Sequence, residues 1–358
     1  MHRPRAVPRS AHLADGRTIH YFDDQAGRFG DPPPDRRTLA SEPLRSELRH
    51  DALLDEWVVV ATHRQTRTHL PAGPDCPLCP STATSFTEVP ASAYDVVVFE
   101  NRFPSLPAAA PGEPERGRCE VICYTSDHDA SFAGLDDARL QTVADAWLAR
   151  SEALAADPGV AYVLCFENRG EEIGVTLDHP HGQIYAYPFV PARVARLATS
   201  AASHRDRAGS CLGCDLLAAE LEDGRRVLVA GTHAVAYVPS AARWPFEIHV
   251  VPRRHVTGLS GLASDELDEM VMLQADVLHR LDGVFELAVP YMAGWLGAPL
   301  VAGSEPLHLR IEIVSPQRDA EKLKYLAGSE TLGGAFINDV RPEEAAERLR
   351  GAPGRSSR

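Results

Sequence analysis

The chain has 358 residues, 44% of them hydrophobic, and a formal net charge of -14. That size supports one large core or two smaller ones, and the acidic balance argues against sequence-independent nucleic-acid binding, which needs clustered lysine and arginine. No run approaches the length of a membrane span, and no apolar signal core follows the basic start Met1-His2-Arg3-Pro4-Arg5. A cytoplasmic location is therefore expected.

Residues 1–45 are rich in Pro, Arg and Asp, including Asp31-Pro32-Pro33-Pro34-Asp35, and read as an extended, partly mobile arm. Two similar halves follow, over 46–200 and 201–350, and the tail 351–358 should fray. Each half opens with a C-x-x-C pair, Cys76/Cys79 and Cys211/Cys214. A strand and turn come next (Val96 to Asn101; Ala234 to Pro239), then a second strand that ends in a histidine, Glu120 to His128 or Glu247 to His255. An amphipathic helix carries the apolar stripe Leu140, Val143, Trp147 and Leu148 in the first half, and Leu267, Met270, Val271 and Leu278 in the second. Two more strands close each half, the last bearing His179-x-His181 or His308-x-Arg310. Such a duplication predicts an α+β fold with antiparallel sheets and packed helices.

C-x-x-C in a long cytoplasmic chain points to metal or redox chemistry more than to a disulfide scaffold. Cys76-Pro77-Leu78-Cys79-Pro80 follows Pro74-Asp75 in a loop, which favours a zinc knuckle over a thioredoxin-like pair. The repeat nominates the remaining ligands: His128 and His179 with Cys76/Cys79, and His255 and His308 with Cys211/Cys214. Four protein ligands leave no open position, so two structural zinc ions are expected. Cys119, Cys123 and Cys165 sit in apolar runs and read as small buried hydrophobes.

The pentad His179-Pro180-His181-Gly182-Gln183 is the chemical centre of the sequence. Strand alternation should put His179, His181 and Gln183 on one face. His179 is assigned to metal, which would fix its strand and hold His181 as a nucleophile. Gln183 would grip a phosphoryl oxygen without acting as an acid or base. The second half has Arg310 where the first has His181, so one reacting histidine per chain is expected.

With Leu13-Ala14-Asp15-Gly16-Arg17, Trp57 to Arg64, Val98 to Phe103, Phe166-Glu167-Asn168-Arg169-Gly170 and Gly294 to Pro299, these motifs resemble the galactose-1-phosphate uridylyltransferase family of the histidine triad superfamily. The resemblance implies a duplicated histidine-triad-like fold and a ping-pong reaction. UMP would pass from UDP-glucose to His181, releasing glucose 1-phosphate, and then to galactose 1-phosphate, giving UDP-galactose. It also implies that Arg64 and Arg67 meet phosphate, that Asn101, Arg102 and Phe103 lie beside uridine, and that Asn168 and Thr176 lie near the α-phosphoryl group. Lys324, Tyr325 and Glu330 match a segment that reaches the hexose in the neighbouring subunit of a homodimer. An iron site found in some members cannot form, because Leu197, Leu296 and Arg310 stand at three of its positions. The two-zinc branch of the superfamily includes an enzyme that phosphorolyses ADP-glucose. An ADP-sugar adenylyltransferase, a hydrolase and a non-catalytic zinc-stabilised nucleotide binder therefore remain as alternatives, Gln183 disfavouring the hydrolase.

Overall fold

A computed structural model describes residues 3–39, 46–66, 70–71, 73–106 and 117–356. The first half contains β1 (Arg9–His12), β2 (Thr18–Phe22), β3 (Glu47–Asp51), β4 (Glu56–Val60), β5 (Val96–Glu100), β6 (Arg118–Cys123), α1 (Asp137–Ala155), β7 (Tyr162–Arg169) and β8 (His181–Tyr187). The second contains α2 (Ala192–Ala208), α3 (Leu212–Asp223), β9 (Val227–Ala230), β10 (Ala234–Tyr237), β11 (Phe246–Pro252), α4 (Ser264–Phe285), β12 (Tyr291–Leu296) and β13 (Arg310–Ser315). A short ribbon, β14 (Gln317–Asp319) with β15 (Lys322–Leu323), precedes α5 (Gly328–Gly333) and α6 (Pro342–Gly351).

Eleven strands form one antiparallel sheet in the order β1-β2-β5-β6-β8-β7-β12-β13-β11-β10-β9. Within it β5-β6-β8-β7 and β10-β11-β13-β12 share one connectivity, and the two copies meet where β7 pairs with β12, Cys165 opposite Trp295. The duplicated α+β architecture expected from the sequence is thus present, fused into a single sheet.

Alternation along the strands builds two layers. Val96, Val98, Ile122 and Ile184 face the helices α1 and α4, and the core there runs through both halves, Trp147 and Trp295 lying 5.7 Å apart between centroids. The intervening residues Val97, Phe99, Val121 and Cys123 face the opposite way, against Cys76, Leu78 and Tyr94. This is why β5 reads as an unbroken apolar run: both of its faces are covered. The Asp136 side chain accepts from the Arg139 amide at 2.8 Å and starts α1 where the chain leaves the sheet.

Three expectations need correction. Residues 1–45 are not simply an extended arm, since β1 and β2 pair within the main sheet and Arg3 reaches Asp145 and Asp268. The tail is docked as far as Arg355, whose guanidinium donates to Asp137 and whose amide donates to Asp276. His179 precedes β8 rather than standing on it, so the row of three side chains reduces to His181 and Gln183 on the strand.

Candidate active site and metal clusters

Cys76, Cys79, His128 and His179 bring one ligand atom each within 4.8 Å of one another. The pair lies in a turn after Gly73–Asp75, while the histidines lie just beyond β6 and just before β8. Cys79 Sγ is 3.4 Å from His128 Nδ1 and 3.6 Å from His179 Nδ1. Ligands about 2.0–2.3 Å from a tetrahedral zinc ion would stand roughly 3.3–3.8 Å apart, so the donors fit such an ion. The far nitrogen of His179 donates to the Thr125 carbonyl at 2.8 Å, which leaves Nδ1 as the free lone pair facing the sulfurs. Burial pushes the His179 pKa down to about 4. Burial first, then the neighbouring Cys76, pushes Cys79 up to about 12. A neutral imidazole and crowded thiols that need a cation are what a metal site offers.

The second half repeats this. Cys211, Cys214, His255 and His308 converge within the same limit. Here the pair caps and begins α3, and Gly213 lies so close to His308 that a Cβ would stand 2.5 Å from that of the histidine. His255 Nδ1 is 3.2 Å from Cys211 Sγ, and His308 Nδ1 is 3.5 Å from Cys214 Sγ. Their Nε2 atoms donate to the carbonyls of Glu305 and Pro252. Each donor set fits one tetrahedral ion.

A cavity of about 430 Å³ opens on the sheet face beside the first cluster. Its floor is every second residue of four adjacent strands: Phe99, Val121, His181 with Gln183, and Phe166 with Asn168. Its walls are Arg64, Pro77, Leu78, the turn Asn101-Arg102-Phe103, and the loop Gly174 to Leu177. That loop leaves β7 through Gly170, whose φ of +107 and close approach to Pro290 suit only glycine.

His181 Nδ1 lies 2.7 Å from the His179 carbonyl oxygen. A carbonyl only accepts, so Nδ1 carries the proton and Nε2 keeps its lone pair. Burial lowers the His181 pKa, against the pull of that carbonyl, so the ring favours its neutral, nucleophilic form. Arg64 donates to the Phe103 carbonyl at 3.1 Å and the Ser105 hydroxyl at 2.7 Å, and that hydroxyl is 3.1 Å from the Tyr185 hydroxyl. The Asn101 side chain accepts from the Phe103 amide at 2.8 Å and so shapes the turn it belongs to.

The structure thus brings His181, Gln183, Arg64, Asn101, Arg102, Phe103, Asn168 and Thr176 around one cavity. Arg67 lies outside the described residues. Lys324, Tyr325 and Glu330 do not join the cavity within one chain. Lys324 and Glu330 are paired at 2.6 Å and buried, whereas Tyr325 is 74% exposed. Sequence reasoning missed Glu88 and Tyr185, which also line it. Tyr185 sits two residues after Gln183 on the same strand face and was legible by alternation; Glu88 arrives from a loop with no such signal.

At the positions matching His181 and Gln183, the second half carries Arg310 and Glu312. Glu312 is buried and accepts from Arg193 at 2.6 Å, Arg243 at 3.0 Å and Arg310 at 3.2 Å. His249 Nε2 lies 3.3 Å from Glu247. Three guanidinium groups around two carboxylates form an ion network that disfavours a further cation.

The family model for the galactose-1-phosphate uridyl transferase N-terminal domain matches residues 38–191, and that for its C-terminal domain matches 198–356. The galactose-1-phosphate uridylyltransferase of Streptomyces lividans is 42% identical over 95% of this chain and 96% of its own length. That of Thermotoga maritima is 38% identical over 85% of this chain and 98% of its own. A solved uridylyltransferase superposes with a TM-score of 0.77 at 30% identity, over 86% of this chain and 98% of that one. An Arabidopsis thaliana ADP-glucose phosphorylase shares the fold, with a TM-score of 0.67 at 22% identity over 86% of this chain and all of that one. The chain belongs to the galactose-1-phosphate uridylyltransferase family of enzymes.

Proposed function

We propose that this enzyme moves UMP between UDP-glucose and galactose 1-phosphate through a uridylyl-histidine at His181. The observation that carries this reading is the His181 ring, with Nδ1–H on the His179 carbonyl and the Nε2 lone pair left to the cavity beside Gln183. In the first half-reaction Nε2 attacks the α-phosphorus. The bond to the β-phosphate oxygen breaks, and its electron pair leaves with glucose 1-phosphate. The ring becomes positively charged, and its Nδ1–H bond to the carbonyl stabilises that charge. In the second, a phosphate oxygen of galactose 1-phosphate attacks the same phosphorus and the histidine leaves as neutral imidazole. Neither step requires an added proton at the leaving phosphate, which suits an amide at Gln183 that donates to a phosphoryl oxygen. Arg64 supplies the planar fork for phosphate.

Cys76, Cys79, His128 and His179 would hold one structural zinc ion, and Cys211, Cys214, His255 and His308 a second. Bound there, zinc would cross-link each knuckle to the strand beside it and keep the His179 carbonyl in place under His181. The first half, 46–200, would carry the reaction and 201–350 a degenerate copy. Lys324, Tyr325 and Glu330 lie outside the cavity of their own chain, beside exposed Leu332, Phe336 and Ile337. This supports a homodimer in which that segment serves the partner's site. Seven free cysteines fit a reducing, cytoplasmic location.

Incubation with UDP-glucose or ADP-glucose, followed by intact mass, tests the reading. A uridylyl adduct absent from His181→Ala supports it. An adenylyl adduct in its place would make the enzyme an ADP-sugar transferase, and no adduct from either nucleotide would overturn covalent catalysis.

A further inference from the structure

Glu88 is a buried carboxylate facing a cavity meant for phosphates, and that needs a reason. It is 7% exposed and lies among the cavity walls. Arg17 donates to Oε2 at 2.5 Å, Arg37 lies 2.6 Å from Oε1, and Arg102 stands 3.7 Å away. Arg17 and Arg37 are themselves fixed by Asp15 and Asp35. Three arginines and three carboxylates are interleaved there, so the cluster orients the Glu88 carboxylate without making the wall strongly charged.

Its place in the sheet says what it can meet. Gln183 lies opposite Val121, and Val121 opposite Phe99, so the floor runs from the nucleophile strand to β5 across two strand spacings, roughly 10 Å. Arg102 leaves the end of β5, and Arg17 donates to the Glu100 carbonyl at 2.7 Å. Arg17 and Arg102 thus tie the carboxylate to the β5 end of the floor, two strands from the one that bears His181, and the apolar floor of Val121 and Phe99 between those strands suits a nucleoside.

A carboxylate only accepts hydrogen bonds, with about four lone-pair sites over its two oxygens. Arg17 and Arg37 occupy two, which leaves capacity on the cavity side. The pairing edge of uracil offers one N–H between two carbonyl oxygens that would repel a carboxylate. A ribose offers two adjacent hydroxyl donors and no such penalty. Carboxylates read ribose hydroxyls in other nucleotide sites for the same reason.

We propose that Glu88 is a specificity-determining residue that accepts a hydrogen bond from a ribose hydroxyl of the bound nucleotide. The assignment rests on the cavity being a nucleotide site. It makes the enzyme selective for ribonucleotides and leaves the choice of base to other residues.

Calorimetric binding of UMP, 2′-deoxy-UMP and 3′-deoxy-UMP to the full chain tests it. A hydrogen bond to a charged group is worth about 10- to 100-fold in affinity. Wild type should bind UMP tighter than at least one deoxy analogue by that factor. Glu88→Leu should weaken UMP to the deoxy level while leaving the deoxy analogue nearly unchanged, a pattern that a purely structural loss would not give. Equal binding of all three by wild type, or discrimination that survives in Glu88→Leu, would overturn the assignment. If that variant does not fold, Glu88→Gln is read in the same series: reduced discrimination supports the assignment and unchanged discrimination overturns it. Failure of UMP itself to bind wild type would sink the nucleotide-site reading, an outcome separate from equal binding.

Discussion

Gly182 separates His181 from Gln183, and the space beneath it is already filled. A Cβ there would stand 2.1 Å from the Tyr124 hydroxyl and 2.8 Å from the Phe166 carbonyl oxygen. Tyr124 is fully buried in the helix-facing core, so the strand must move instead. Gly182→Ala should lose about 1–3 kcal/mol of stability from overpacking and lower adduct formation, because His181 and Gln183 move with the strand; urea unfolding and intact mass read both. Next to it, Glu167 is a buried carboxyl whose Oε1 accepts from Tyr291 at 2.9 Å while Oε2 has no hydrogen-bond partner among the described residues. Burial raises its pKa from the usual 4.5 to about 7, against the pull of Tyr291 and Arg169. Between those values the folded protein holds a proton that the unfolded chain has released, so this group's contribution to stability is present below about pH 4.5 and is lost as pH rises towards 7. At about 1.4 kcal/mol per pH unit, the window is worth roughly 3 kcal/mol. Unfolding at pH 5 and pH 7 should show a fall in wild type that is reduced in Glu167→Gln. An equal fall in both would show that Glu167 does not set this pH dependence.

At the level of elements, the histidine-bearing strands were legible because their signals are local: β-branched runs, a fixed C-x-x-C spacing and a pentad of unusual composition. Strands β1 and β2 were not. Arg-Ser-Ala-His carries little apolar pattern, and its place in the sheet depends on pairing with β2, which itself pairs with β5 far along the chain. The docked tail was hidden for the same reason, since Arg355 meets Asp137 and the Leu135 carbonyl 218 and 220 residues away. The two Cys/His clusters have different structural neighbours, and that makes them separable. The first includes His179, whose carbonyl holds His181, whereas the second ties α3 to His308 just before β13. Elemental analysis should give close to two zinc ions per chain, falling to one in either Cys79→Ser or Cys214→Ser. Only Cys79→Ser should slow adduct formation strongly. Equal slowing in both variants would show that the second cluster also shapes the active site.

Across the whole molecule, one fold is used twice and one copy has been closed. Both halves keep the strand order and the four-ligand cluster, but Arg310 and Glu312 turn the second site into an ion network under α2 and its neighbours. The duplication was visible in matched spacings, whereas its fusion into one eleven-stranded sheet was not, because β7 and β12 pair edge to edge across more than a hundred residues. The open copy alone presents a histidine whose protonated nitrogen is held by a backbone carbonyl and whose free nitrogen faces a cavity. Intact mass after incubation with UDP-glucose reads that asymmetry. One uridylyl group per chain should form, mapped to His181, absent in His181→Ala and discharged by galactose 1-phosphate. A second adduct per chain, or an adduct that survives His181→Ala, would contradict it.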